Sequence, residues 1–169
     1  MCSGGLVSGA WPRDVARVAA FLEEAHAEAR LEELSADGAT AEEAAEAIGC
    51  GLDGIAKSIL LLCDDAPVLV VLPGDRRVDT GKAARLAGAR RAWIARPDEV
   101  VSCTGFVPGA VAPFPLPDVR EVIVDRRLLA QPVVWASGGS PRHLIALAPA
   151  ELVRLARGRI EDIALEQTV

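Results

Sequence analysis

Two apolar runs in the middle of the chain, Ser58 to Cys63 and Val68 to Leu72, constrain the fold most. Neither alternates polar with apolar residues, so neither can present one face to water. Continuous runs of this length read as central strands covered on both faces. The four residues between them, Asp64-Asp65-Ala66-Pro67, are a hairpin-length connection. A chain with this pair at its centre must supply layers above and below a sheet.

Helical spacing supplies them. Val15, Val18, Ala19, Leu22 and His26 share one face of a helix over residues 15–26, with Asp14 as its cap. A short strand over Arg30 to Ser35 leads to an Asp37-Gly38 turn. Thr40-Ala41-Glu42-Glu43 is a capping box that opens a helix closed by Gly49. Asp79 opens a helix from Gly81 to Leu86, Ala92 to Ala95 is a short strand, and Asp98 caps a helix from Glu99 to Cys103. Strands are expected at Val122 to Asp125, Val133 to Ser137 and His143 to Ala148, with Gly138-Gly139-Ser140-Pro141 as a turn. A last helix runs from Glu151 to Ala156, begun by Pro149 or Ala150, with Arg154, Arg157 and Arg159 at its C-terminal end. Hairpins with few helices predict an α+β single domain with a mixed, mostly antiparallel sheet flanked by helices. Residues 1–13 read as a flexible leader and residues 14–169 as the domain.

Thr104 to Pro117 breaks the pattern. It holds four prolines and two glycines, so no helix or ordinary strand survives there. Its other residues are mostly apolar, which lays the segment against the body, where an ordered loop of this length commonly walls a functional site.

Composition excludes several classes. No apolar run approaches the ~18 residues of a membrane helix. The first nine residues lack a basic region and a long apolar core, so they do not read as a signal peptide. Cys2, Cys50, Cys63 and Cys103 have no Cys-x-x-Cys spacing and the two histidines stand far apart, which argues against a metal site. A reduced, cytoplasmic protein without a cofactor is expected. Three Trp, three Phe and no Tyr are few for a protein that holds bases mainly by stacking. The net charge is −6, yet Arg76 to Arg96 holds seven bases, among them Arg76, Arg77 and Lys82, and one acid. That stripe is either a polyanion contact or a solvated helix face.

Lysine is rare: sixteen of the eighteen basic residues are arginine. Lys57 stands in an apolar stretch between Ile55 and Leu60, where a compact ammonium either snorkels to water or meets a ligand. No nucleophile elbow, Walker loop or dinucleotide fingerprint accompanies it. Beside it stand a hydroxyl, Ser58, and two glycine-bearing segments, Gly105 to Pro113 and Ser137 to Pro141. Lysine with backbone N–H donors can hold a phosphate or stabilise an oxyanion, which suits cleavage of an activated ester.

Taken in order, Thr40-Ala41-Glu42-Glu43-Ala44-Ala45, Ile55-Ala56-Lys57-Ser58, Gly74-Asp75-Arg76-Arg77-Val78-Asp79, Thr104 to Phe114 and Ser137-Gly138-Gly139 resemble the YbaK/ProX family over residues 15–165. These are prolyl-tRNA editing domains and their free-standing relatives, which hydrolyse amino acids wrongly attached to tRNA. The resemblance implies a deacylase acting in trans on a small amino acid carried by tRNA(Pro), with a prolyl-tRNA synthetase as a further partner. It puts the family's lysine on Lys57, near the terminal adenosine. Its Gly-x-x-x-Pro loop falls on Gly109-Ala110-Val111-Ala112-Pro113, with Gly109 orienting the aminoacyl group and the attacking water. Ser58, Phe106, Ala110, Val111, Pro113, Ser137, Gly138 and Gly139 line the substrate pocket by the same implication, and Phe106, Val107, Val111 and Phe114 either form its sieve or pack as ordinary core. Lys57 would lie at the mouth of a cavity walled by the proline-rich segment. The chain departs from the family pattern at Ser58, often asparagine, at Ala110, often glycine, and at Leu144, acidic in the cysteine-specific relatives. Two other readings stay open: a tRNA- or nucleotide-binding module of the same fold without turnover, and a protein-interaction domain in which Lys57 is structural.

Overall fold

A computed structural model describes residues 10–35 and 40–167. Five helices, α1 (Arg13–Glu24), α2 (Ala41–Ile48), α3 (Thr80–Ala87), α4 (Pro97–Thr104) and α5 (Pro149–Ala156), accompany eight strands. The strands are β1 (Ala29–Glu33), β2 (Ile55–Cys63), β3 (Ala66–Pro73), β4 (Ala92–Ile94), β5 (Glu121–Asp125), β6 (Val134–Ser140), β7 (His143–Leu147) and β8 (Arg159–Glu161). They form one sheet ordered β1-β7-β6-β2-β3-β5-β8, with β4 also on β2. Four pairings are antiparallel and three, β2 with β6, β3 with β5 and β5 with β8, are parallel. The sheet is therefore mixed and mostly antiparallel, as expected.

The two apolar runs are its centre. β2 and β3 pair along their whole length, from Ala56 opposite Pro73 to Cys63 opposite Ala66. Strand alternation divides them between two cores. Leu60, Leu62, Leu69 and Val71 face α1, α5 and the proline-rich segment. Leu61, Val68, Val70 and Leu72 face α3. α2 covers a third cluster on the α3 side, over Ile55 and Leu144. Leu61, Leu69 and Leu72 are wholly buried, and each contributes about 1.5–3 kcal/mol by leaving water.

Local chemistry sets the joints. The β2–β3 turn is Asp64-Asp65, both at positive φ (48° and 75°), the mirror-image geometry that matches strand twist. The Asp64 carboxylate accepts the Arg90 and Arg91 amides at 2.8 and 3.2 Å, tying the turn to the α3–β4 connection. The capping box is present: Thr40 Oγ1 accepts the Glu43 amide at 3.1 Å and the Glu43 carboxylate accepts the Thr40 amide at 3.2 Å. Gly49 and Gly88 exit α2 and α3 in the left-handed conformation.

Several expectations change. α1 begins at Arg13, and Trp11 packs edge-on against His143 with centroids 5.3 Å apart, so the described end of the leader lies on the body. The Asp37-Gly38 turn lies outside the described residues, as do residues 1–9. Asp98 sits inside the first turn of α4; the cap is Arg96, whose amide donates to Glu99 at 2.8 Å. Gly138-Gly139-Ser140 is not a turn: β6 runs through it as a bulge, and the reversal falls at Pro141-Arg142. Gly139 holds φ +104°, and a side chain there would meet the backbone of Asp14 at 2.9 Å, so the bulge exists where α1 approaches the sheet. β8 and a 3-10 turn at Arg126–Ala130 carry no periodic apolar signal and were not anticipated. Among the described residues, no helix is long and apolar enough to cross a membrane.

Candidate active site

Lys57 is the third residue of β2 and lies opposite Leu72, on the face covered by α2 and α3. Its half-buried ammonium donates to the Gly74 carbonyl at 3.4 Å. Burial pushes its pKa below the ordinary lysine value; Glu42 and Asp75 oppose that shift and Arg77 adds to it. Three segments thus converge on one cation: the start of α2, the turn after β3, and β2 itself. Gly74 makes the convergence possible. A side chain there would meet the Leu52 carbonyl at 2.8 Å and Ala41 at 3.1 Å, so only glycine lets α2 close over the turn.

Ser58 points the other way, because neighbours on a strand alternate. Its Oγ is buried and has no hydrogen-bond partner, an arrangement that costs free energy unless a ligand or water completes it. The edge of β2 explains how one site could use both residues. β6 pairs with Ile55 and Ala56, and β4 with Leu61 to Cys63. Between them Lys57 to Ile59 have no strand partner on that edge. Continued by one residue, the parallel register sets Ser137 level with Lys57 on the same face. Ser137 Oγ accepts the Gly139 amide at 3.2 Å. Gly138 and Gly139 are buried, against Leu31, His143 and the start of α1.

The Gly109 loop is braced from below. Gly109 is exposed at φ +83°, and the Ala110 amide donates to the Val107 carbonyl at 3.0 Å. Ala110, Val111, Ala112 and Pro113 are buried, on the α1 side of the sheet. Phe106 is wholly buried under the Arg17 guanidinium, 4.0 Å from the ring centroid, and its amide donates to Thr104 Oγ1 at 3.1 Å. Of the four sieve residues, Phe106, Val111 and Phe114 are core, while Val107 is 48% exposed.

Two expectations shift here. The cavity that the proline-rich segment walls lies between α1, α5 and the start of β5, and Lys57 does not line it. The segment packs on the face opposite the one Lys57 addresses. Lys82 lies in the basic stripe, yet its ammonium meets Asp162 at 3.2 Å and donates to the Ala164 carbonyl at 2.9 Å, which ties down the C-terminal segment. Arg77 is exposed near Lys57 and Arg76 is half-buried in the same turn. Sequence reading passed over Glu42, Gly74 and Asp75 as neighbours of Lys57; the Pro73-Gly74 break after β3 was the available signal. It also missed the contact between Ser140 Oγ and His143 Nδ1 at 2.6 Å, where burial lowers the imidazole's pKa.

The chain matches the family model for the aminoacyl-tRNA editing domain over residues 35–155. It is 36% identical over 121 residues to the uncharacterized protein YwhH of Bacillus subtilis, covering 71% of this chain and 76% of that one. It is 35% identical over 111 residues to the proline–tRNA ligase of Shouchella clausii, covering 65% of this chain and 19% of the ligase. Its fold superimposes, with a TM-score of 0.85 and 34% identity, on a crystal structure presented as a candidate trans-editing enzyme for prolyl tRNA synthetase, covering 93% of this chain and all of that one. The family match covers most of the chain, and the chain belongs to the aminoacyl-tRNA editing domain family.

Proposed function

We propose that this protein hydrolyses the ester of a mischarged aminoacyl-tRNA, a small amino acid on tRNA(Pro) above all, in the cytoplasm where tRNA is charged. The observation that carries the reading is a half-buried ammonium beside a gap in the sheet, next to an unpartnered buried hydroxyl. In this reading the 3′ end enters at the gap between β6 and β4. Lys57 meets the terminal adenosine or its phosphate and the charge that develops on the ester oxygen. Ser58 and Ser137 offer hydroxyls from the two sides, and the Gly109 loop orients water. Water adds to the ester carbon, the bond to the ribose oxygen breaks, and the proton lost by water ends on that oxygen; free amino acid and tRNA leave. Small substrates suit a second sieve, since a synthetase pocket gains only ~1–3 kcal/mol per methylene against a smaller competitor. Arg76 and Arg77 lie where they could meet the acceptor strand, with Lys82 a weaker candidate. Association with a prolyl-tRNA synthetase would supply substrate as it is released.

Hydrolysis of alanyl, cysteinyl, seryl and threonyl esters on tRNA(Pro) tests this. The wild-type chain should cleave at least one, and Lys57→Ala should lose roughly 10²–10³-fold, the scale of one lost oxyanion donor. Binding of tRNA without turnover of any ester would replace the reading with that of a binding module. Near-normal rates in Lys57→Ala would remove that residue from the chemistry.

A further inference from the structure

A cavity of about 750 Å³ opens between α1, the exit of the proline-rich segment and α5, on the sheet face away from Lys57. Glu121 on its wall is level with Val68, at the end of the central hairpin remote from Lys57 and Gly74. It is therefore separate from the candidate editing site. Its floor is apolar, with Phe21, Phe114, Leu116 and Leu155, and Phe21 stacks on Phe114 with centroids 5.0 Å apart. Four arginines, Arg17, Arg120, Arg154 and Arg157, stand around this floor against one carboxylate, Glu121.

The arginines are unequally committed. Arg154 is paired with Glu151, and Glu121 is drawn towards Arg159 at 3.9 Å. Arg17, Arg120 and Arg157 have no ion-pair partner among the described residues. Arg17 donates to the Thr104 carbonyl at 2.8 Å, while its Nε is buried with no partner. Arg157 exits α5 at φ +51°, a conformation in which arginine is strained and glycine is not. A volume in the small-ligand range, an apolar floor and unpaired planar cations at the rim describe a site for a flat body carrying a dianion.

We propose that this cavity binds a nucleotide, with the base over the Phe21 side of the floor and the phosphate between Arg120 and Arg157. Two sources share that chemistry: a free mononucleotide and an unstacked nucleotide of a tRNA strand. The second rests on the editing reading; the first does not.

The test is titration with AMP and, separately, with uncharged tRNA, comparing wild type with Arg120→Ala/Arg157→Gly. Both arginines are exposed, and glycine fits the backbone at 157, so the double variant should fold; its thermal unfolding checks that. AMP should bind the wild type, and the double variant at least tenfold more weakly. If tRNA affinity falls too, with its salt slope reduced by about 0.7 for the one phosphate held, a tRNA nucleotide is the occupant. If AMP binding alone is lost, the occupant is a free nucleotide. Absence of AMP binding to the wild type, unchanged AMP affinity in the double variant, or a loss confined to tRNA would each overturn the proposal. Ester hydrolysis through Lys57 can fail or survive independently of these outcomes.

Discussion

Lys57 sits where a charge is expensive. Burial lowers its pKa while Glu42 and Asp75 only partly offset the loss of water. Below its folded pKa the ammonium is charged in both states and the fold bears the full cost. As pH rises from there through the ordinary lysine value, about 10.4, the unfolded chain holds more protons, and stability rises. Lys57→Met keeps the length and removes the charge. It should raise the urea midpoint at pH 7, with the advantage shrinking towards pH 10.5, while slowing ester hydrolysis by roughly 10²–10³-fold. An unchanged or lower midpoint at pH 7 would mean that the ammonium's contact with Gly74 outweighs its desolvation.

At the scale of elements, the site depends on α2 being held over the turn that follows β3. α2 has eight residues, too few to be stable alone in water. Its capping box and its packing of Ala44 and Ala45 on Ile55 hold it in place. Thr40→Ala should cost about 1 kcal/mol by urea unfolding and speed amide exchange over residues 44–48. Because α2 carries Glu42 towards Lys57, KM for the ester should rise more than kcat falls. Equal exchange in both proteins would show that packing, not the cap, holds the helix. This helix was legible from Thr40-Ala41-Glu42-Glu43 and Gly49, since caps are local chemistry. The Gly138-Gly139 bulge was not, because the backbone of Asp14 and Val15, over a hundred residues away, decides which conformation it takes.

Across the whole molecule, a buried carboxylate links the last strand to the site. Asp125 is wholly buried and accepts the amides of Arg127, Ile163 and Ala164 at 2.9, 3.0 and 3.1 Å. The segment it holds in turn pins the turn beside Lys57: the Asp79 amide donates to the Ile163 carbonyl at 2.9 Å and the Leu165 amide to the Arg77 carbonyl at 2.8 Å. Asp125→Ala orphans three backbone donors and leaves the Arg127 guanidinium with Asp162 as its one carboxylate partner, and should cost roughly 3–5 kcal/mol. Ester hydrolysis should fall with it although Asp125 faces no substrate; a stable, fully active variant would cut this link. The sequence by itself determined the central hairpin, the caps of α2 and α3, the three-layer logic and the prominence of Lys57, because each follows from local spacing or from the cost of leaving an apolar run wet. Only the tertiary structure decided that Lys57 and Ser58 address opposite faces, that Lys82 straps the C-terminal segment, and that the proline-walled cavity belongs to arginines of α1 and α5 rather than to Lys57. Those outcomes depend on which strand edges meet and which helix covers which face, and such long-range pairings leave no mark in any single stretch of the chain.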